Sequence, residues 1–208
     1  MSSEAIIEHR RGVGGGLAFV VCGPSGAGKN SVIERVMEVI PGFSYSVSFT
    51  TRPRRSDEVD GRDYHFITDK QFTELVENDE VVEHVTYLGH KYGTSRAQIK
   101  EVFAEGKDVI LNIDVNGAKK LMDRGLNDFS IVYVFLTPSS LEILGTRLRE
   151  RGTETEKQMQ ARLAVAAKEM KSMPLFEYLV INDDLDTAVD ELRAIVVAER
   201  CRIIAAND

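Results

Sequence analysis

Gly23-Pro24-Ser25-Gly26-Ala27-Gly28-Lys29 follows the apolar run Leu17 to Cys22 and opens onto Ser31 to Ile40, where Val32, Ile33, Val36, Met37 and Ile40 fall on one helical stripe. A strand, a glycine-rich turn and a helix beginning at the lysine aim backbone N–H groups and the helix's positive end at one point. That arrangement reads as a cradle for polyphosphate. Glycines are needed where a Cβ would block the turn or hold the backbone away from phosphate oxygens, and Lys29 reaches the β- and γ-phosphates as a point charge. The pattern G-x-x-x-x-G-K is complete, but the hydroxyl expected next, the usual magnesium ligand, is replaced by Asn30. An amide oxygen can ligate a hard cation or hold its water shell, so the expectation is altered metal geometry with phosphate binding kept. The competing reading is a glycine turn between strand and helix with no ligand.

Outward from the cradle, Pro41-Gly42 stops the helix and Phe43 to Phe49 reads as a strand. The polar stretch 50–62 carries Arg52, Arg54 and Arg55, then Asp57, Glu58 and Asp60. From Tyr64 to Thr94 the pattern predicts short strands around a small helix, Asp69 to Glu77, with Val81 to Leu88 the clearest strand. This stretch is an excursion from the main sheet. Ile99, Val102 and Phe103 predict a helix closed by Gly106, and Asp108 to Asp114 a buried strand ending in an acid. Ile131 to Leu136 is another buried strand; Ser139 with Glu142 forms a capping-box pattern, with Leu141, Leu144 and Leu148 facing inward. A charged loop, Arg147 to Glu156, separates two helices, Tyr178 to Ile181 is a last strand, and Leu185 to Ile204 a closing helix. Apolar runs alternating with helices imply an α/β fold with a parallel, doubly wound sheet, whose ligand sits at the strands' carboxyl ends beside the cradle and Asp114.

The 208 residues suit one domain with inserted pieces. Cys22 and Cys201 lie far apart and read as buried thiols in a reducing compartment, and no zinc spacing is present. No run of eighteen apolar residues occurs, and Met1 to Gly16 lacks an apolar core for a secretory signal, so a cytoplasmic protein without membrane contact is expected. A net charge of −7 argues against general nucleic-acid affinity. Residues 1–16, glycine-rich at the end, read as a flexible leader.

A polyphosphate nucleotide brings magnesium, and Asp114 at a strand end can supply a carboxylate to it; the alternative is a cap for the next helix. Three arginines within four positions beside a strand end read as a phosphate clamp, because guanidinium forks give charge-assisted bonds of roughly 1.5–3 kcal/mol each. Arg147, Arg151 and Arg162 form a second cluster, read either as surface charge paired with neighbouring glutamates or as a lid over a phosphoryl group in transit. His65, His84 and His90 read as packing or surface residues. No nucleophile paired with a base is apparent, and in-line transfer needs none, only alignment, charge neutralisation and exclusion of water.

Taken in order, Gly-Pro-Ser-Gly-Ala-Gly-Lys at 23–29, Ser-Phe-Thr-Thr-Arg-Pro-Arg-Arg at 48–55, Gly-Arg-Asp-Tyr-His-Phe at 61–66, Tyr-Gly-Thr at 92–94, Arg-Gly-Thr-Glu-Thr-Glu at 151–156 and Ile-Asn-Asp-Asp-Leu at 181–185 resemble the guanylate kinases. The resemblance runs from Leu17 to about Glu199. It implies a P-loop NTPase-type core (17–47, 94–148, 163–208), a β-rich GMP-binding region (48–93) and a helical lid (149–162). It implies transfer of the ATP γ-phosphate to GMP, and to dGMP, with Mg2+ as cofactor. In that pattern Gly23, Pro24, Ser25, Gly26, Ala27, Gly28, Lys29, Asn30, Ser31 and Asn182 bind ATP, with Asn182 near the adenine. Arg52, Arg55, Tyr64 and Tyr92 hold the GMP phosphate, and Ser48, Glu83 and Thr94 read guanine. Asp114 touches GMP and the metal-bound phosphates, with Asn30 as a second metal ligand, and Lys29, Arg52, Asp114, Arg147, Arg151 and Arg162 carry the catalysis. Guanine's chemistry agrees: a carboxylate at Glu83 accepts from N1–H and N2–H₂ while hydroxyls at Ser48 and Thr94 donate to O6. Beside Asn30, the chain departs from the family's Leu-Asp-Ile-Asp-x-Gln-Gly pattern at Asn112 and Asn116. The runner-up is a guanylate-kinase-like interaction module without chemistry. The oligomeric state stays between monomer and homodimer.

Overall fold

A strand that is apolar on both faces belongs in the middle of a layered fold, and β1 (Ala18–Cys22) is buried at all five positions. The computed structural model describes residues 15–87, 89–126, 129–150 and 155–203, with Tyr87 as backbone alone. Expectations placed on the leader before residue 15, on Leu88, and on Arg151 with 152–154 of the lid lie outside the described residues. β1 runs parallel to β7 (Asp108–Asn112) on one side and to β8 (Ile131–Thr137) on the other. β2 (Phe43–Tyr45) and β9 (Tyr178–Ile181) complete a five-stranded parallel sheet, in the order β2-β7-β1-β8-β9.

Helices cover both faces. Under α1 (Lys29–Val39) and α7 (Leu185–Cys201), one apolar layer joins Phe19, Ile33, Val36, Ile110, Leu136 and Leu192. Under α3 (Arg96–Ala104) and α4 (Val115–Arg124), the other joins Val20, Ile99, Leu111, Leu121 and Phe135. A smaller cluster, Leu144, Leu148 and Met159, binds α5 (Leu141–Glu150) to α6 (Glu156–Met170). The cradle follows β1, Asp114 follows β7 and Asn182 follows β9, so all three meet at the carboxyl edge of the sheet. Among the described residues no helix is long and apolar enough to cross a membrane.

The strand expected over Phe43 to Phe49 is two strands in two sheets. After Tyr45, Ser46 still donates its N–H to the Ile110 carbonyl and its hydroxyl to Gln98 Oε1, and the chain then leaves the main sheet. β3 (Phe49–Thr50) instead pairs with β4 (His65–Phe66) and β6 (His90–Ser95), and β6 pairs with β5 (Val81–Tyr87), in the order β4-β3-β6-β5. Between them α2 (Asp69–Glu77) starts on a capping box, Thr68 with Gln71, which explains why its bounds were legible. Arg124, in the last turn of α4, donates to the carbonyls of Val81 and Val82, both at 3.0 Å, and to the Asp79 carboxylate. One helix therefore ties strand β5 of the smaller sheet to the end of β7.

Three other expectations change. Ser140, not Ser139, caps α5, its hydroxyl accepting from Ile143 N–H, because the Ser139 N–H is drawn to Asp183. Leu141 is exposed, while Leu144 and Leu148 are buried in the cluster that joins α5 to α6. Cys22 is buried as expected, but Cys201, the last residue of α7, is exposed; neither belongs to a disulfide.

Candidate active site

The cradle is closed by backbone and by a distant amide. Gly23, Gly26 and Gly28 all have positive φ, and a Cβ on Gly23 would fall 1.9 Å from the Leu136 carbonyl oxygen. No side chain fits there. Gly28 caps α1 in the left-handed region, and a Cβ on it would meet Asn182 Nδ2 at 2.4 Å. Asn182, 3% exposed, uses that amide to donate to the Ala27 carbonyl at 2.7 Å, so it clamps the cradle from β9. Lys29 Nζ donates to the carbonyls of Gly23 (2.7 Å) and Pro24 (3.2 Å). Burial pulls its pKa down, opposed by Cys22, Glu169 and Asp114. A half-buried ammonium held by two neutral carbonyls is poised for an anion. Asn30 and Ser31 are exposed on the first turn of α1.

One arginine reaches the cradle and another the turn beside it. Arg162, on α6, donates to Ser25 Oγ at 2.5 Å, and Arg147, on α5, donates to the Asp183 carbonyl at 3.1 Å. Gly26, Gly28, Ser31, Arg147, Asn182 and Asp183 are among the residues lining an open cavity of about 490 Å³ on this side.

On the acceptor side, Glu83 of β5 is 6% exposed, and its Oε1 accepts from Thr94 Oγ1 of β6 at 2.7 Å. Burial pushes its carboxyl up to about 7; the Thr94 bond opposes this, nearby Asp114 adds to it and Lys120 opposes it. Its Oε2 packs on Gly117 of α4, where a Cβ would lie 2.7 Å from that oxygen and 3.5 Å from Asp114 Oδ1. Asp114 caps α4, its Oδ1 accepting from Gly117 N–H at 2.7 Å. Both readings of Asp114 therefore remain compatible, since a cap uses one oxygen and leaves the other. The first turn of α4 sets Glu83 and Asp114 on either side of one glycine, and Asp114 in turn faces Lys29 electrostatically.

The clamp arginines are already partnered. Arg52 forms a two-pronged pair with Glu58, at 2.6 and 3.0 Å, and lies 5.5 Å over the Tyr64 ring. Arg55 donates its backbone N–H to Glu58 Oε2 at 2.8 Å and is exposed, and Arg54 Nη1 donates to the Glu58 carbonyl. The Arg52 guanidinium and the Arg55 N–H hold the Glu58 carboxyl down at about 2. Glu58 is thus the anion that Arg52 and the Arg55 N–H hold in this structure. Tyr64 and Tyr92 meet edge to face at 5.9 Å. Ser48 sits half-buried before β3, its carbonyl accepting from His65 N–H.

The donor set fits magnesium carried in by a nucleotide. Among the described residues no group of three His, Cys, Asp or Glu could enclose a cation. Asp114 has an oxygen beyond its cap bond, and a hard cation with one carboxylate, waters and substrate phosphates satisfies magnesium's habit.

Residue patterns missed two acids. Glu58 was visible as an acid three positions after Arg55, the spacing of a local turn. Glu169, on α6, had no local signal; burial raises its carboxyl, with Lys29 opposing and Asp114 adding, and its Oε2 is buried without a hydrogen bond among the described residues.

A family model described as guanylate kinase matches residues 16–199. The chain is 44% identical over 190 residues to a guanylate kinase of Lactobacillus acidophilus, covering 90% of this chain and 91% of the relative. Against a guanylate kinase of Thermotoga maritima it is 42% identical over 193 residues, covering 93% and 92%. The crystal structure of guanylate kinase from Anaplasma phagocytophilum superposes with a TM-score of 0.73 at 29% identity, over 93% of this chain and 90% of that one.

Proposed function

The chain belongs to the guanylate kinase family, and on that premise we propose how its side chains move the γ-phosphoryl group of ATP to GMP, giving ADP and GDP. The cradle N–H groups and Lys29 hold the donor's β- and γ-phosphates. A phosphate oxygen draws the ammonium from the carbonyls of Gly23 and Pro24, replacing neutral partners with a charged one. Asn182 shapes the cradle from behind and lines the cavity that takes the rest of ATP.

On the other side the GMP phosphate displaces Glu58 from Arg52, with Arg55, Tyr64 and Tyr92 completing the clamp. Guanine enters against Glu83, Thr94 and Ser48. An oxygen of the GMP phosphate attacks the γ-phosphorus in line; that O–P bond forms as the bond to the β-phosphate oxygen breaks, and the electron pair leaves on ADP. The nucleophile is already anionic, so no side-chain base is required. Arg147 and Arg162, with Arg151 by resemblance, surround the equatorial oxygens and exclude water. Asp114 would hold magnesium, which when bound neutralises charge between the donor phosphates. These contacts address the phosphate and base of the acceptor and none is assigned to a 2′-hydroxyl, which makes dGMP the second acceptor. The cytoplasm, where such nucleotides are made and used, is its proposed location.

The observation that carries this reading is Gly117, which brings the buried Glu83 carboxylate beside Asp114, itself electrostatically coupled to the cradle lysine. Base reader, strand-end acid and phosphate anchor thus share one site. Purified protein with ATP, magnesium and each of GMP, AMP, CMP and UMP should form GDP far faster than the other diphosphates. Equal turnover of AMP, or none of GMP, overturns the assignment.

A further inference from the structure

Asn30 and Asn112, two of the positions at which this chain departs from the pattern it resembles, are bonded to each other across 82 residues: Asn112 Nδ2 donates to Asn30 Oδ1 at 2.7 Å. Asn30 follows Lys29 on the first turn of α1, and Asn112 is the last residue of β7, two before Asp114. A primary amide carries one acceptor oxygen and two N–H donors. The Asn112 bond takes one lone pair of the Asn30 oxygen and draws that oxygen toward β7, while among the described residues neither Asn30 N–H has a partner, so its N–H groups are what it has readiest for a ligand. A cation needs the oxygen; a phosphate oxygen needs the N–H. The pair adds no negative charge beside the donor phosphates.

We propose that Asn30 is a direct hydrogen-bond donor to the donor nucleotide's phosphates and not a magnesium ligand, with Asn112 the positioning residue that fixes its amide orientation. The proposal rests on the phosphate-cradle reading above. An aspartate at 112 would reverse the arrangement. A carboxylate only accepts, so Asn30 would turn its N–H toward Asp and its oxygen toward the cradle.

The test is calorimetric titration of the full chain, without GMP, with ATP plus magnesium and with ATP plus EDTA. Asn30→Ala should weaken both forms by a similar factor, about tenfold, the loss of one hydrogen bond to a charged group. Asn112→Asp should weaken metal-free ATP about tenfold or more while ATP with magnesium changes less than about threefold. A merely structural role for Asn112 would lower both arms together, and that result overturns its orienting role. Asn30→Ser with Asn112→Asp should keep the strong magnesium preference, since a hydroxyl can donate to the carboxylate and offer its oxygen to the cation. Weakening of the magnesium form alone in Asn30→Ala marks Asn30 as a ligand and overturns the proposal, as does no change in either arm. Wild-type protein that binds ATP in neither form overturns the cradle reading itself, an outcome separate from a changed ratio.

Discussion

On the proposed base contact, lowering the pH should loosen the grip on GMP, because Glu83 would have to be a carboxylate to accept from both guanine donors. In the unliganded site burial holds its carboxyl at about 7, so near neutrality much of it carries a proton that GMP must expel. Between pH 8 and pH 6 this linkage alone weakens GMP binding about tenfold, or about 1.4 kcal/mol. At pH 6.5 binding should release about three quarters of a proton from this group. The GMP phosphate also titrates near pH 6, so the Glu83 part is isolated by difference with Glu83→Gln. Titration calorimetry at pH 6.5, in two buffers of different ionisation enthalpy, reads the proton count directly. Equal proton release by the two proteins would refute the reasoning. The same group acts on stability. Its folded value is raised from 4.5 to about 7, so the benefit of burying the neutral form is complete below 4.5 and is lost as pH rises through 7. That difference corresponds to about 3 kcal/mol, and unliganded Glu83→Gln should be more stable than wild type at pH 8 and nearly equal at pH 4.5.

Gly117→Ala places a Cβ 2.7 Å from Glu83 Oε2 and should raise KM for GMP about tenfold or more while KM for ATP stays within about twofold; steady-state kinetics in each substrate decides. Arg55→Ala removes an exposed guanidinium, so its melting temperature should hold while KM for GMP rises about tenfold or more; unchanged GMP kinetics would remove Arg55 from the clamp. Asn182→Ala leaves the Ala27 carbonyl buried without its donor, about 1–3 kcal/mol, and thermal melting should fall by several degrees.

Much of the molecule was legible because its signals are local. The cradle lies within seven consecutive residues, where glycine's freedom and the lysine's position leave few conformations, and α2 announces its start through Thr68 and Gln71. Apolar runs at β1, β7 and β8 could satisfy their burial only inside a parallel sheet. The break in the chain between Tyr45 and Phe49 was not legible, because an extended segment does not declare which sheet supplies its partners.

By itself the sequence determined the architecture, the phosphate cradle and the list of charged residues that could surround it. Tertiary structure alone decided which of those residues meet: Asn112 with Asn30, Asn182 with Ala27, Glu83 with Gly117. It also decided that Arg52 rests on Glu58 and that Glu83, one acid among many, is buried. Local structure follows from sterics and periodicity over a few residues. Ionisation and hydrogen bonding follow from which distant elements exclude water from a group, and that is settled only when the whole chain has packed.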